Sequence, residues 1–423
     1  MRVGVRLYGV RRPGSRIAAR EPAVRWMRGG AFAVVCAAAL ILSQAAGALA
    51  ATWSVQSIPA PTGATGNALS GVSCTTPTAC VAVGDYINSS GVELTMAERW
   101  NGTSWSILPT PSAASGSALA GVSCTTASAC TAVGYYVNAS GVNMTLVERW
   151  NGTAWSTQSS ADPTGGGVLS SVWCGESACT AVGNSNQNAP LAEQWNGTAW
   201  VIQPTAVPTG GGALDGVSCT AASACTAVGQ SQDAPLAEQW NGTAWSIQTT
   251  PSPTPGRLIY VRSSLLSGVS CTSATDCTAV GWWNGIQCNN GQPTCNCLRL
   301  PYCTVKNGTL TEAWDGASWA IQPSPFSGGG GHLLGVSCVS ATACTADGVY
   351  FIPAYGSPLA EQWDGSTWTY QVPPAPSSSG TVLGLSMLGL SCTSATTCTA
   401  VGETTTAVSG SSVPSAFVER YLG

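Results

Sequence analysis

The sequence predicts an all-β fold, a seven-bladed β-propeller of four-stranded antiparallel blades, and three observations lead to it. A unit of about 50 residues recurs seven times between residues 51 and 423, a period typical of propeller blades. Each unit contains four short stretches rich in strand-forming residues, separated by Gly, Asn, Asp, Pro and Ser. The two ends of the repeated region are incomplete, and each end supplies what the other lacks.

A cysteine pair lies between the first and second predicted strands of every unit. The second cysteine follows the first by five or six positions, which suits a staple across a hairpin. Because paired cysteines in an exported chain form disulfides, we predict seven bonds that each stabilise one blade without joining two blades. The pairs are Cys74–Cys80, Cys124–Cys130, Cys174–Cys179, Cys219–Cys225, Cys271–Cys277, Cys338–Cys344 and Cys392–Cys398.

The fifth unit carries a Cys-rich insertion at residues 282–308, with four further cysteines at Cys288, Cys295, Cys297 and Cys303. Zinc is one interpretation, but zinc sites commonly use C-x2-C steps and the compartment is oxidising, so we predict two disulfides. The spacing leaves their connectivity open. We therefore expect nine disulfides, no free thiol and no bound metal in residues 51–423.

Six of the seven units end in a tryptophan hairpin of the form W-N/D-G-x-x-W. The Asn-Gly and Asp-Gly pairs predict a two-residue type I′ turn, which would place Trp100 opposite Thr103 and Glu98 opposite Trp105. Period-two alternation puts the glutamate and both tryptophans on one sheet face, which the next blade would cover.

The chain ends predict a closed ring. Residues 417–422 reproduce only the third strand of a unit, and residues 52–56 reproduce only the fourth. We expect the N-terminal strand to complete the seventh blade, with Trp53 beside Tyr421, because closure leaves no unfinished sheet edge.

Residues 1–50 are predicted to be a signal peptide. They combine eight arginines with an apolar stretch at residues 31–42 and end in Ala48-Leu49-Ala50, an A-x-A cleavage pattern. Met27 is an alternative start, and Arg11-Arg12 raises twin-arginine export as an alternative route. An uncleaved anchor is the other interpretation, but the apolar stretch is short against the roughly 20 residues of a membrane span.

The remainder of the chain has seven basic and eighteen acidic residues, a net charge of −11. This charge excludes a nucleic-acid partner, because no basic surface remains to neutralise phosphates. We expect a secreted, extracellular monomer that meets a membrane only through its signal peptide. We expect no cofactor, and the single histidine, His332, excludes a multi-histidine metal centre.

Ligand-binding residues should lie where the repeats differ, on the loops between strands two and three and on the linkers between blades. Exposed aromatic rings there suit stacking on sugars or capture of extended peptides, although they could instead cover the mouth of the ring. His332, near the central channel, is either incidental or functional. The candidates are Arg257, Tyr260, Arg262, Trp282, Trp283, His332, Tyr350 and Tyr355.

One glutamate recurs in every unit, and we assign these glutamates to folding. A catalytic pair is local, whereas a residue that builds blades recurs in each of them. We expect the glutamates to accept hydrogen bonds between blades. They are Glu98, Glu148, Glu193, Glu238, Glu312, Glu361 and Glu419.

The unit G-V-S-C-x5-C-T-A-V-G, followed by A-E-Q-W-N-G-T-x-W, resembles the repeats of secreted bacterial seven-bladed β-propeller proteins. Its hairpin is similar to the Asp-box hairpin of sialidases, and its length is similar to kelch units. The resemblance spans residues 51–423 and implies the architecture, while no catalytic residue carries over from it.

Two functions remain open at this point. One is a non-catalytic binding or scaffold module for glycan or protein at the cell envelope. The alternative is a glycan-active enzyme, a hydrolase or lyase, which would use a non-repeated acid near the channel. The candidate acids are Asp85, Glu93, Asp215, Asp233 and Asp347.

Overall fold

The computed structural model describes residues 51–113, 115–254, 259–288, 303–326, 330–352, 355–377, 381–408 and 411–423. Within these ranges, no helix has the length and apolar character needed to cross a bilayer. The predicted signal peptide, residues 1–50, lies outside the described residues.

Four antiparallel strands form each of seven sheets, which confirms the predicted fold class. Blades one to three comprise β2 (Gly66–Thr76), β3 (Ala79–Ile87), β4 (Glu93–Trp100) and β5 (Trp105–Leu108); β6 (Ser117–Thr126), β7 (Ala129–Val137), β8 (Asn143–Trp150) and β9 (Trp155–Gln158); and β10 (Gly167–Cys174), β11 (Cys179–Ser185), β12 (Pro190–Trp195) and β13 (Trp200–Gln203). Blades four and five comprise β14 (Ala213–Ala221), β15 (Ala224–Ser231), β16 (Ala234–Trp240) and β17 (Trp245–Gln248); and β18 (Ile259–Ser273), β19 (Asp276–Cys288), β20 (Cys303–Trp314) and β21 (Trp319–Ile321). Blade six comprises β22 (Gly331–Ser340), β23 (Ala343–Ile352), β24 (Tyr355–Trp363) and β25 (Trp368–Gln371), and blade seven comprises β26 (Thr381–Ser394), β27 (Thr397–Val408), β28 (Ser411–Leu422) and β1 (Thr52–Gln56).

The seven sheets form a ring around a central channel. The first strand of each blade contacts the first strand of the next, and β26 of blade seven contacts β2 of blade one. Residues of all seven inner strands line a channel cavity of about 250 Å³. The hydrophobic core is divided among the blade interfaces, where the tryptophan face of one blade packs on the preceding blade.

Blade seven takes its outer strand from the N-terminal end of the described chain. β1 pairs antiparallel with β28, and Trp53 lies opposite Tyr421 with ring centroids 5.3 Å apart. Arg420 extends to blade one, where its guanidinium lies 4.9 Å from the Trp100 ring centre and donates to the Pro77 carbonyl at 2.6 Å. Strand pairing and this cation–π contact therefore join the two ends of the ring.

The hairpin register differs from the type I′ prediction. Trp100 lies directly opposite Trp105, with ring centroids 5.8 Å apart, and Glu98 lies opposite Ile107. A type I′ turn needs positive φ at both central residues, but Gly102 has a φ of 98° and Asn101 is not in that region. The Asn101 side chain instead accepts hydrogen bonds from the main-chain N–H groups of Thr103 and Ser104, and this Asx-type arrangement closes a four-residue loop. The prediction that glutamate and both tryptophans share a face holds in the observed register.

The seven blade disulfides are all present, and each joins the first two strands of one blade. The same cysteines also contact the neighbouring blade, which sequence reasoning missed. At six interfaces the cysteine N–H donates to a serine hydroxyl of the preceding blade, as from Cys271 to Ser218 at 2.9 Å. At the interface of blades three and four, Trp173 occupies the serine position, and the Val217 N–H donates to Ser171 instead. The disulfide hairpins therefore contribute to the ring as well as to single blades.

A glycine in the second strand of each blade allows the inner pair of strands to approach closely. At Gly84 a Cβ atom would lie 2.1 Å from the Ala68 carbonyl oxygen, so no other residue fits. The partner strand has a bulge between Leu69 and Gly71, and the intervening Ser70 lines the channel. This glycine fixes where the second strand emerges on the loop face, and the residue that follows it is free to vary.

Candidate functional site

The most variable register position of the propeller lies directly after this glycine. We call its seven residues the variable ring, because they occupy the same position of the second strand in successive blades. Each pairs with the residue that precedes the core leucine or methionine of the first strand. The ring consists of Asp85, Tyr135, Asn184, Gln230, Trp282, Val349 and Glu403.

One sector of the ring is aromatic and spans blades five and six. The Trp282 indole stacks on the His332 imidazole, with ring centres 4.3 Å apart and planes inclined by 12°. Phe351 packs edge-on against His332 at 4.7 Å and is 40% exposed. Burial lowers the pKa of His332 to about 4, so the imidazole is neutral at pH 7. The sector therefore presents a continuous, uncharged aromatic surface.

Trp283 is not part of this surface, and its predicted role as an exposed ligand-binding residue is wrong. Its side chain is only 1% exposed and packs in the core of blade five beside Leu266 and Leu310. The reason is strand alternation, since successive residues point to opposite faces of a sheet. Only the first tryptophan of the pair reaches the aromatic sector.

The remaining predicted ligand residues divide by location. Tyr260, 69% exposed, and Arg262, also exposed, lie on the projecting part of β18. Tyr350 is half-buried and packs against Phe326, with ring centres 4.8 Å apart, so it supports the blade-six linker. Tyr355 is the first residue of β24 and its side chain is outside the described part, as is the whole of Arg257.

The Cys-rich insertion is described only at its two ends. β19 and β20 are longer than their counterparts in blades one to four and in blade six, and their last cross-strand pair is Cys288 with Cys303. Cysteines in all seven blade disulfides are also direct cross-strand partners. The prediction of two disulfides in the insertion, whose connectivity the sequence left open, therefore stays a prediction, since Cys295 and Cys297 lie outside the described residues.

A second sector of the ring is acidic. The Tyr135 hydroxyl of blade two donates to the Glu93 carboxylate of blade one at 2.7 Å. Burial, the charges of Glu93 and Glu403 and a hydrogen bond with Glu93 together raise the pKa of Asp85 to about 7. Burial and the bond to Glu93 likewise raise the pKa of Tyr135. Asp85 and Glu93 thus share a site in which one carboxyl group holds a proton near neutral pH.

The other candidate acids are separated from this pair. Asp215 lines the central channel, and burial raises its pKa to about 6. Asp233 lies exposed in a turn, where its carbonyl accepts from the Ser264 N–H at 2.9 Å. Asp347 is wrong as a catalytic candidate, because it is fully buried at a position that is valine in the other blades. Burial raises the pKa of Asp347 to about 7.

The repeated glutamates are all completely buried between blades. Glu193 accepts from the Ser160 hydroxyl at 2.6 Å and from the Ala161 N–H at 3.3 Å, both on the linker after blade two. Glu238 and Glu361 accept equivalent bonds from Ala206 and Ser324. The predicted bonding is confirmed for these three.

Other repeated glutamates depart from the predicted hydrogen bonding. Within the described ranges no donor reaches Glu98, Glu312 or Glu419. Burial alone raises the pKa of Glu98 and Glu312 from 4.5 to about 8. These side chains are therefore protonated at neutral pH, which removes the need for a charged partner. Across the described ranges, no group of three or more His, Cys, Asp or Glu side chains is arranged to hold a metal.

The fold and the variable ring define a seven-bladed propeller with its non-repeated chemistry on one face. No protein-family model and no curated protein matches the sequence. The chain is similar in structure to YCF48 bound to D1 peptide, with a TM-score of 0.51 and 15% identity over 88% of this chain and 95% of that one. It is also similar to YCF48 from Cyanidioschyzon merolae, with a TM-score of 0.47 and 13% identity over 88% and 98% of the two chains. A fucose-specific lectin from Aleuria aurantia has a TM-score of 0.41 and 13% identity over 74% of this chain and 99% of that one. At these identities the likeness shows the fold alone.

Proposed function

We propose that the protein is a secreted, non-catalytic binding module that takes a glycan or protein ligand at the cell envelope on its loop face. The observation that carries this is the aromatic group in which Trp282 of the variable ring stacks on His332 and Phe351 packs edge-on against His332. Flat aromatic surfaces bind sugar faces and extended peptides, because they bury apolar area without ordering flexible side chains. A neutral histidine adds to this surface without introducing a charge.

Two further observations support this proposal. Disulfides persist in oxidising compartments, and the seven blade disulfides therefore support export of a chain that begins with a signal-like segment. A propeller of this fold is described with a bound peptide, so the architecture accommodates a polypeptide ligand. We expect the exported protein to be a monomer.

The test compares binding by two alanine variants of exposed apolar residues. Trp282→Ala should reduce binding at least tenfold on a glycan array or to envelope proteins, because truncating an aromatic anchor costs about 2 kcal/mol. Ile247→Ala, at a 46% exposed position on the outer strand of blade four, is the matched control and should bind as the wild type does. Equal binding by all three proteins would remove the aromatic sector from the site.

Glycan hydrolysis is the second candidate, favoured by the pairing of Asp85 with Glu93. A protonated acid beside an ionised carboxylate is the equipment of a glycosidase, and the pKa of Asp85 near 7 suits the acid. Such activity would fall as pH rises above 7, because Asp85 loses its proton. Asp85→Asn should then abolish turnover of a chromogenic glycoside while leaving binding intact. Absence of turnover by the wild type over a broad glycoside panel, together with retained ligand binding, would leave only the binding function.

A further inference from the structure

The opposite face of the ring, which carries the disulfides, has a cleft between adjacent blades. One side chain of each blade stands over this cleft, at the position before the aromatic residue that ends the third strand. The residue type at this position differs among the blades, although the surrounding hairpins repeat. In blade order the position holds Arg99, Arg149, Gln194, Gln239, Ala313, Gln362 and Arg420.

The chain itself shows how an arginine occupies such a cleft. Arg420 lies over the Trp100 ring of the next blade and donates to the Pro77 carbonyl, which lies three residues after the first cysteine of that blade. Where Arg99 stands, the free volume of the cleft is about 0 Å³, and where Arg149 stands it is about 60 Å³. An arginine at this position therefore leaves little free volume in the cleft, and Arg420 shows that an aromatic ring and a main-chain carbonyl can be its partners.

The cleft between blades six and seven has glutamine in place of arginine, and Tyr421 of blade seven stands where blade one has Trp100. Gln362 stands at its edge, and about 320 Å³ remains open beside Trp363 and Ala395, the counterpart of Pro77. The Gln362 amide nitrogen is buried and has no acceptor among the described residues, so it does not bind the Ala395 carbonyl. In blade three, by contrast, the Gln194 amide donates to the corresponding Ala222 carbonyl at 3.0 Å. Gln362 instead accepts a hydrogen bond from the Tyr421 hydroxyl of blade seven at 3.4 Å, and the cleft beside it stays open.

We propose that the cleft between blades six and seven binds an arginine side chain of a partner polypeptide. The incoming guanidinium donates to the Ala395 carbonyl, as Arg420 donates to the Pro77 carbonyl one interface further on, and it lies beside the ring of Trp363, which lines this cleft on the blade-six side. Asp364 lines the same cleft, and main-chain and Ser366 hydrogen bonds lower its pKa to about 2, so it carries a negative charge at pH 7. That charge and the overall acidity of residues 51–423 attract a cation and disfavour an acidic segment. This site is independent of the loop-face function, since it lies at the other end of the blades.

The test uses the oxidised, exported protein and Nα-acetyl-L-arginine N-methylamide as the probe. Titration followed by the indole N–H resonance of Trp363 should give a saturable shift in the millimolar range. The lysine analogue should bind at least threefold more weakly, because ammonium lacks the planar donor pair, and the neutral citrulline analogue more weakly still. No saturable shift up to about 10 mM arginine probe would overturn the proposal.

Three variants separate this site from non-specific attraction. Gln362→Arg fills the cleft from within and should abolish the shift, and unchanged affinity in this variant would equally overturn the assignment. Arg99→Gln opens the cleft between blades one and two and should add a second response at the Trp150 indole. Asp364→Asn should weaken binding about two- to fivefold at low salt, the scale expected for one exposed charge. Asparagine is native at the same turn in four other blades, so this last variant keeps the hairpin and remains informative if Gln362→Arg does not fold.

Discussion

The two ends of the blades are built from the same strands, yet they differ in how strictly they repeat. On the disulfide face, each blade presents the same cysteine hairpin, and serine and threonine hydroxyls of one blade contact the cysteines of the next at nearly every interface. On the loop face, one register position changes from aspartate to tyrosine, tryptophan or valine around the ring. The residues that repeat in every blade are those that close the ring, and the positions that vary lie on the face where we propose that a ligand binds.

Removing the strand that completes the repeat should have the largest effect on stability. Deletion of residues 51–58 exposes Tyr421, which packs on Trp53, and leaves the outer edge of blade seven unpaired. Loss of a buried tryptophan costs about 3–5 kcal/mol, and the lost ladder adds to it. The deletion should therefore lower the free energy of unfolding by more than about 5 kcal/mol in denaturant titration. An unchanged midpoint would show that the ring does not depend on its closure.

Alanine variants of the adjacent residues Trp282 and Trp283 compare a loop-face position with a core position within one strand. Trp283→Ala removes a fully buried ring and should cost about 3–5 kcal/mol of stability. Trp282→Ala, in the half-buried aromatic sector, should cost about 1 kcal/mol or less. Chemical denaturation measures both. If the two losses are equal, the loop-face ring is structural and the division between faces fails.

Glutamine variants of the repeated glutamates test whether burial or hydrogen bonding determines what each side chain contributes to stability. Glu193→Gln disturbs the bonds from Ser160 and Ala161 and should cost about 1–3 kcal/mol. Glu312 differs, because folding raises its pKa from 4.5 to about 8 with no donor to offset it. Between those pH values the folded state holds more protons, so its contribution to stability falls as pH rises.

This difference has a direct readout in pH titrations of stability. Glu312→Gln should match the wild type near pH 4 and be the more stable protein above pH 8. Melting temperatures measured from pH 4 to pH 9 report it. A wild-type stability that rises across this range while that of Glu312→Gln does not would contradict the assignment.

The smallest effect is expected from one hydroxyl of the disulfide face. Ser218→Ala leaves the half-buried N–H of Cys271 without its acceptor and should cost about 1 kcal/mol. Ser246→Ala, at an exposed position of the same blade, is the control and should change stability by less than about 0.5 kcal/mol. Two indistinguishable variants would show that the cysteine hairpins act only within their own blades.

The features that the sequence predicted correctly are those with a repeating local pattern. Blade number, strand order, the seven disulfide pairs and the shared face of Trp100, Trp105 and Glu98 all follow from period and alternation. The hairpin register was predicted wrongly, because it depends on side-chain hydrogen bonds that override the type I′ preference of an Asn-Gly pair. Asn101 accepts two main-chain N–H groups and thereby selects a four-residue loop, a choice that the Asn-Gly pair alone does not reveal.

The closed arrangement of the blades follows from the sequence alone, because each repeat has an apolar face that only another repeat can cover. Only the tertiary structure decided which unique residues meet. Trp282 and His332 are 50 positions apart in the chain, and Asp85 and Glu403 are more than 300 apart, yet adjacent blades bring the two rings into contact and the two carboxyl groups within electrostatic range. Trp283 and Asp347 do not belong to the site, because both are buried. Strand alternation turns Trp283 into the core, and Asp347 occupies a position that is a core valine in the other blades. The physical reason is that a propeller sets local geometry through hydrogen bonds within a blade, whereas contacts across blades depend on closure of the whole ring.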